Sequence, residues 1–196
     1  MFPFLAIDFE TTGSVPGFRN EPWQLGAILM PESGGLPAAQ MFESLLRISP
    51  DRPFNRYTPG RHAQLRRQLA VAPTLGDLWP VLAPHLGSLP VVAHNIGTER
   101  TQLRSVAPLH TKILWIDTLA LARSAWPSLA SYALEDLIPD LGLQPILESI
   151  FPGRAPHDAL YDAAACALLF EHLLSLPSWS HLSAQDLSSL CRRNQR

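Results

Sequence analysis

The sequence predicts an α/β protein: one mixed β-sheet flanked by α-helices. Two observations predict it. Three strand-like segments come first, and strands then alternate with helical segments. That order sets an antiparallel meander beside parallel strands in one sheet. The chain of 196 residues is 46% hydrophobic and 16% charged, enough for one compact domain with its own core. No internal repeat or long linker divides it.

Phe4 to Phe9 is a short apolar run and reads as the first strand. Trp23 to Met30 is the second, and Pro31 to Pro37, with two glycines, is a turn. Ala39 to Ile48 is the third strand. "SPDRPFNRYTPG" has the composition of a loop, and His62 to Leu69 reads as a short helix. Pro73-Thr74 opens a helix that must accommodate Pro80. "LPVVAHN" is a buried strand followed by a helix from Ile96 to Val106. "KILWIDTLALARSAW" is a strand and then a helix. Ser128 to Leu143 reads as a helix ending near Pro139 or Gly142. His157 to Leu174 is a long helix with apolar residues at helical spacing. A last short helix starts at Ser183, with Leu182 and Leu187 placed to staple it.

The formal net charge of −2 argues against bulk electrostatic binding of nucleic acid. The distribution says more, because Lys112 is the only lysine. Arginines cluster between Arg52 and Arg67, and Arg192, Arg193 and Arg196 close the chain. Their forked guanidinium suits phosphate, although a solvated face is the plainer account of any one of them. Cys166 and Cys191 make no disulfide framework, and no secretory signal or membrane span is visible. A reducing, cytoplasmic setting is therefore expected.

Chemistry concentrates in three places. Asp8 and Glu10 are two apart on the first strand, so they share the face of Phe4 and Ala6, spaced by about 6–7 Å. Two acids on a half-buried face repel each other, and one takes a raised pKa. A hard divalent cation would neutralise them. A solvated strand end would serve as well, and these two residues alone leave both accounts open. In "PHDALYDAAAC", His157 and Asp162 are five apart, about 140° of residual helical rotation, so mid-helix they would diverge. Pro156 suggests that the helix begins later. With Asp158 as N-cap, His157 precedes the cap and Asp162 is the fourth helical residue, the two positions that meet in a staple. In "VVAHNIGTER", Glu99 falls in the first turns of a helix, where an acid is also favoured by the helix dipole. His94 and Asn95 make the turn before it, and His94 is expected to cap that turn.

Together, "DFETTG", "VVAHN…E" and "HDALYD" resemble the three ordered motifs of the DEDDh (DnaQ-like) 3′–5′ exonucleases. This group includes the proofreading epsilon subunit of bacterial DNA polymerase III and ribonuclease T. The resemblance runs in order from about Phe4 to about Leu174, and the five-residue offset of His157 and Asp162 marks the DEDDh branch. It implies a ribonuclease H-like exonuclease domain over residues 1–176, with 177–196 as a C-terminal helix and basic tail. It implies hydrolysis at single-stranded 3′ ends of DNA or RNA with two divalent cations, Mg²⁺ or Mn²⁺. Asp8 would bridge both ions, Glu10 and Asp162 would complete the shell of one, and Glu99 would serve the other. His157 would be the general base. Thr11, Thr12 and Gly13 would hold the 3′ sugar, with Phe9 against the base and Asn95 as a further candidate. The resemblance also suggests a polymerase or other repair protein as partner. Arg52 to Arg67, or Arg100 and Arg104, are candidates for upstream phosphates.

The sequence departs from the family at Glu99, which stands where the family has aspartate. Thr98 replaces the usual preceding aromatic residue, and Ala63 replaces a usual glycine. An alternative follows from Glu99: a catalytically weak nucleic-acid-binding or partner-docking module of the same fold.

Overall fold

The structure, a computed structural model, describes residues 1–193. Arg196, expected in the basic tail, lies outside the described residues. Five strands form one sheet in the order β3-β2-β1-β4-β5. They are β1 (Phe4–Thr11), β2 (Pro22–Met30), β3 (Gln40–Leu45), β4 (Val91–Ala93) and β5 (Trp115–Asp117). The β1–β2 and β2–β3 pairs are antiparallel, whereas β1–β4 and β4–β5 are parallel. This is the mixed sheet that the order of segments predicts.

Eight helices cover it: α1 (Arg66–Val71), α2 (Leu75–Leu86), α3 (Gly97–Val106), α4 (Thr118–Ala125), α5 (Leu134–Asp140), α6 (Gln144–Ile150), α7 (Ala159–Ser175) and α8 (Ala184–Arg193). Alternation along β1 divides the core in two. Phe4 and Ala6 join the layer under α7, with Ile28, Phe170 and Leu173. Leu5, Ile7 and Phe9 face α2 and α3, against Leu82, Leu86 and Leu103. Cys166 and Cys191 are buried free thiols. Leu187 and Cys191 place α8 on the α7 layer.

Several boundaries move. The third strand stops at Leu45, and Ile48 leaves the ladder to bond Leu69 in α1. The short helix begins at Arg66 instead of His62, because His62 is held as a stacked ring on Phe54 with its Nε2 3.1 Å from the Thr58 carbonyl. α2 starts at a Thr74–Asp77 capping box and runs through Pro80 and Pro84. Residues 128–133 are not helical. Tyr132 is anchored there through its hydroxyl on the Trp126 carbonyl, at 2.6 Å. α5 therefore begins only at Leu134. It ends at Gly142 (φ 70°), with Gly142 N–H donating to Pro139 O and Leu143 N–H to Ile138 O. That is a Schellman closure, which needs a left-handed residue. α6 follows at once, with Pro145 in its first turn, where the sequence reading places no helix.

Gly26 fixes how α7 meets the sheet. It pairs with Asp8 across β1 and β2. A Cβ added there would lie 2.1 Å from the Ala159 carbonyl oxygen and 2.4 Å from the Leu160 nitrogen. Both are backbone atoms and cannot turn aside, so the first turn of α7 rests directly on the glycine. Gly26→Ala should cost about 1–3 kcal/mol by overpacking, a fall of roughly 2–12 °C in Tm for a chain of this size. It should also displace Asp162 and His157, and if these two serve catalysis as the resemblance implies, a shift of about 1 Å would cost roughly 100-fold in rate. Thermal melts and turnover of the same preparation check both; an unchanged Tm would show that α7 can ride up without cost.

Candidate active site

Asp8 and Glu10 lie at the end of β1, half-buried, on the side of the sheet that carries α7. α7 begins at Asp158, whose carboxylate accepts from Tyr161 N–H. The cap is thus where the sequence places it. His157, just before it, takes a left-handed φ of 68°, uncommon outside glycine. Its backbone N–H donates to Asp162 Oδ2 at 2.8 Å. The two residues meet as expected, through main chain on carboxylate instead of side chain on side chain. One ligand atom from each of Glu10, His157 and Asp162 fits within 4.8 Å of the others.

The loop before α7 is held from outside. Arg154 forks onto both oxygens of Glu43 in β3, each at 2.7 Å, and also reaches Asp158 at 2.8 Å. Arg61 reaches the other Asp158 oxygen at 3.1 Å. His157 remains exposed at the rim, with Nε2 3.5 Å from Glu135 Oε2 on α5.

Glu99 enters from the opposite side, on the first turn of α3. It is 3% exposed, and its Oε2 is buried with no hydrogen-bond partner among the described residues. The turn that aims it is fixed by Asp117, which ends β5, caps α4 through Leu119 N–H and accepts from Asn95 N–H at 2.9 Å. Asn95 has a φ of 65°. His94 is a strut. Its Nε2 faces the Tyr132 carbonyl at 2.8 Å and its Nδ1 the Thr118 hydroxyl at 2.9 Å, and burial lowers its pKa. Glu135 and Asp117 escaped sequence reasoning. Glu135 reads as a helix-start acid, while "WIDT", an acid at a strand end before a helix, was a signal for Asp117.

The electrostatics follow from gathering acids without a counter-charge. Burial, then the nearby Glu99, Asp162 and Glu10, raise the Asp8 pKa far above its usual range. Burial and the neighbouring Asp162 push Glu10 to about 8. Burial raises Glu99 to about 8, with Asp117 and Glu10 adding to it, and Asp162 to about 7. The partnerless Glu99 oxygen and this surplus of carboxylates fit a hard divalent cation, which suits oxygen donors and removes the repulsion.

Beside the acids lies a cleft of about 460 Å³, lined by Phe9, Thr11, Gly13, Asn95 and Thr98, with Asn55, Tyr57, Thr58 and Pro59 as the far wall. A second lobe of about 220 Å³ runs from Asp8 and Glu10 to Glu135, His157 and Asp162. Thr12 differs from the other expected sugar contacts. It is fully buried, and its hydroxyl accepts from Glu21 N–H at 3.0 Å and from Arg52 at 2.9 Å. It braces the turn from behind and does not line the cleft. Phe9 is 5% exposed, with its side chain in the layer under α2 and α3. Gly13 (φ 72°) passes under Asn55 and Thr58, where a Cβ would lie 2.7 and 2.6 Å from their atoms.

The arginine-rich loop also turns inward. Arg52 is 4% exposed and bonds Thr12, Glu21 and the carbonyls of Arg19 and Pro53. Arg66 bonds the carbonyls of Pro50 and Arg52 and lies over Phe54. These two guanidiniums are drawn into the fold, and the Arg66 nitrogen without a partner among the described residues is buried.

Comparison with known proteins places this geometry. A family model described as "Exonuclease", of the RNase T type, matches residues 5–170. The chain belongs to this family. It is an exonuclease, a hydrolase of phosphodiester bonds, on an α/β ribonuclease H-like fold. Exonuclease X, solved in complex with 5′ overhanging duplex DNA, is 25% identical with a TM-score of 0.70, over 96% of this chain and 99% of that one. The nuclease domain of 3′hExo, a DEDDh family member bound to rAMP, shares 16% identity with a TM-score of 0.69, over 88% and 91% of the two chains. Pop2p of S. pombe, in a form with Mg²⁺ and Mn²⁺ bound, shares 14% with a TM-score of 0.69, over 95% and 88%. A search of curated proteins found no match. Among the described residues of the exonuclease, no helix is long and apolar enough to cross a membrane.

Proposed function

We propose that this exonuclease removes nucleotides from the single-stranded 3′ end of DNA or RNA with two divalent cations, Mg²⁺ or Mn²⁺. One observation carries the reading: three distant segments bring Asp8, Glu10, Glu99 and Asp162 to one cleft, with His157 at its rim. When bound, the cations would lower the pKa of water and stabilise charge on the attacking and leaving oxygens. Asp8, Glu10 and Asp162 would hold one ion, and Asp8 and Glu99 the other. His157 would take the proton of the attacking water at an imidazole nitrogen. Its place before the helix cap leaves the ring free to swing, and a mid-helix position would not. Glu135 faces that ring. Thr11, Gly13 and Asn95 would bracket the terminal sugar, with Thr12 behind them as support. The bound DNA and rAMP in the complexes of Exonuclease X and 3′hExo support a nucleic-acid substrate.

Glu99 favours a second reading, a module that grips ends but cleaves poorly. The assay that separates them uses 5′-labelled single-stranded DNA and RNA with Mg²⁺, with Mn²⁺ and with chelator. A metal-dependent ladder supports the enzyme reading; binding without a ladder supports the module. Glu99→Asp shortens the side chain by one methylene. It should speed cleavage by up to about 100-fold, the penalty that a misplacement of about 1 Å imposes. A slower variant would mean that this site is built around glutamate.

A further inference from the structure

We propose that a basic pocket on the far flank of α3 is a second site, one that takes the phosphate of a nucleotide. The pocket has a volume of about 180 Å³ and lies between α3, α8 and the segment before β5. Arg100 and Arg104 enter it from α3 and Arg192 from α8. Trp79, Trp115 and His110 form part of its walls, and among the described residues no Asp or Glu lines it. It is separate from the carboxylate cleft. Glu99 faces that cleft, while Arg100, one residue on and about 100° around the helix, faces this pocket.

The state of these arginines is the argument. Arg52, Arg61, Arg66 and Arg154 are committed to carboxylates or backbone carbonyls. Among the described residues, the Arg100 and Arg104 guanidiniums have no hydrogen-bond or ion-pair partner, and both residues are exposed. Among the described residues, Arg192 bonds Ser188 and Ser189, at 3.1 and 2.9 Å, and makes no ion pair. Three positive charges around one concavity repel each other, and a dianion reverses the sign of that term. Guanidinium forks bond two phosphate oxygens at once. The indole walls add faces on which a base can stack, so a nucleotide suits the pocket better than bare phosphate. Its phosphate could belong to a free nucleotide or to a strand.

The test is calorimetric titration of the full chain in chelator, which keeps the carboxylate cleft free of a cation that would draw phosphate there. The probes are inorganic phosphate, AMP and a ten-residue oligo-dT. The double variant Arg100→Ala/Arg104→Ala should weaken nucleotide binding about tenfold or more, the scale of one charge-assisted hydrogen bond. Arg123→Ala, which removes an exposed charge on α4, should leave it unchanged. Thermal melts confirm that both variants fold. AMP binding as tightly as oligo-dT assigns the site to free nucleotides, and oligo-dT binding alone assigns it to a strand. The proposal is overturned if neither nucleotide probe binds, if Arg123→Ala weakens binding as much as the double variant, or if inorganic phosphate binds as tightly as AMP.

Discussion

Asp8→Asn should abolish strand degradation while making the cation-free protein harder to melt. Asp8 sits where the other acids converge, and each of Glu99, Asp162 and Glu10 raises its pKa. Losing one preorganised electrostatic contact of this kind costs at least about 10²–10³-fold in rate, and under the proposed reading, in which Asp8 would serve both ions, the loss should lie at the upper end. The amide keeps the shape, so the loss reports charge. The same substitution removes a carboxylate whose ionisation burial opposes. At pH 8 without cation, the variant should therefore melt a few degrees above wild type, since about 1 kcal/mol corresponds to roughly 2–4 °C here. Decay of a 5′-labelled strand and a melting curve measure the two effects on one preparation. A variant that is inactive but less stable would make Asp8 a structural residue and would count against the cation reading. Retained activity would remove Asp8 from the chemistry altogether.

That one residue carries both effects explains why the site was so legible in the sequence. Local patterns reach as far as local geometry does. Two acids at period two on an apolar strand share a face wherever that strand lies, and Asp158 caps α7 by the same rule that caps any helix. Hence Asp8, Glu10, His157 and Asp162 could be paired before any coordinates, and the mixed sheet followed from element order. What failed depends on partners far along the chain. Thr12 was expected at the sugar, but Arg52, forty positions away, draws its hydroxyl inward. Arg52 and Arg66 looked like phosphate ligands, yet a loop rich in proline offers many carbonyls and few donors, and these guanidiniums supply the donors. Gly26 sits unremarked inside a strand, and nothing nearby in sequence announces that Ala159 presses on it. Glu135 reaches His157 only because the chain from 128 to 133 is not helical and α5 starts late.

Stability in the absence of cation should fall as pH rises from about 5 to 8, the reverse of an ordinary acid-sensitive protein. Glu10 and Glu99 are pushed up to about 8 and Asp162 to about 7, and Asp8 is raised as well. A carboxyl with a raised folded pKa binds more protons folded than unfolded between the two pKa values. Linkage then makes its contribution full below the unfolded pKa and lost as pH climbs through the folded one. The window runs from about 4 to about 8. Asp77 and Asp186 are lowered by their capping partners, but that stabilisation is complete above about pH 4 and is flat across the window. His94, lowered by burial, opposes the trend below its ordinary value, as one group against four. The raised Cys166 and Cys191 thiols act only at higher pH. Melting in chelator at pH 5, 6, 7 and 8 should thus give a falling Tm, with Asp8→Asn flattening the slope. Mg²⁺ or Mn²⁺ at about 100 times its dissociation constant at pH 8 should restore roughly 2.7 kcal/mol there, or about 5–10 °C, and the same concentration should gain less at pH 5, where more protons must leave the carboxylates for the cation to bind. A Tm that rises with pH in chelator, or a cation shift no larger at pH 8 than at pH 5, would mean that the four acids do not share one uncompensated site.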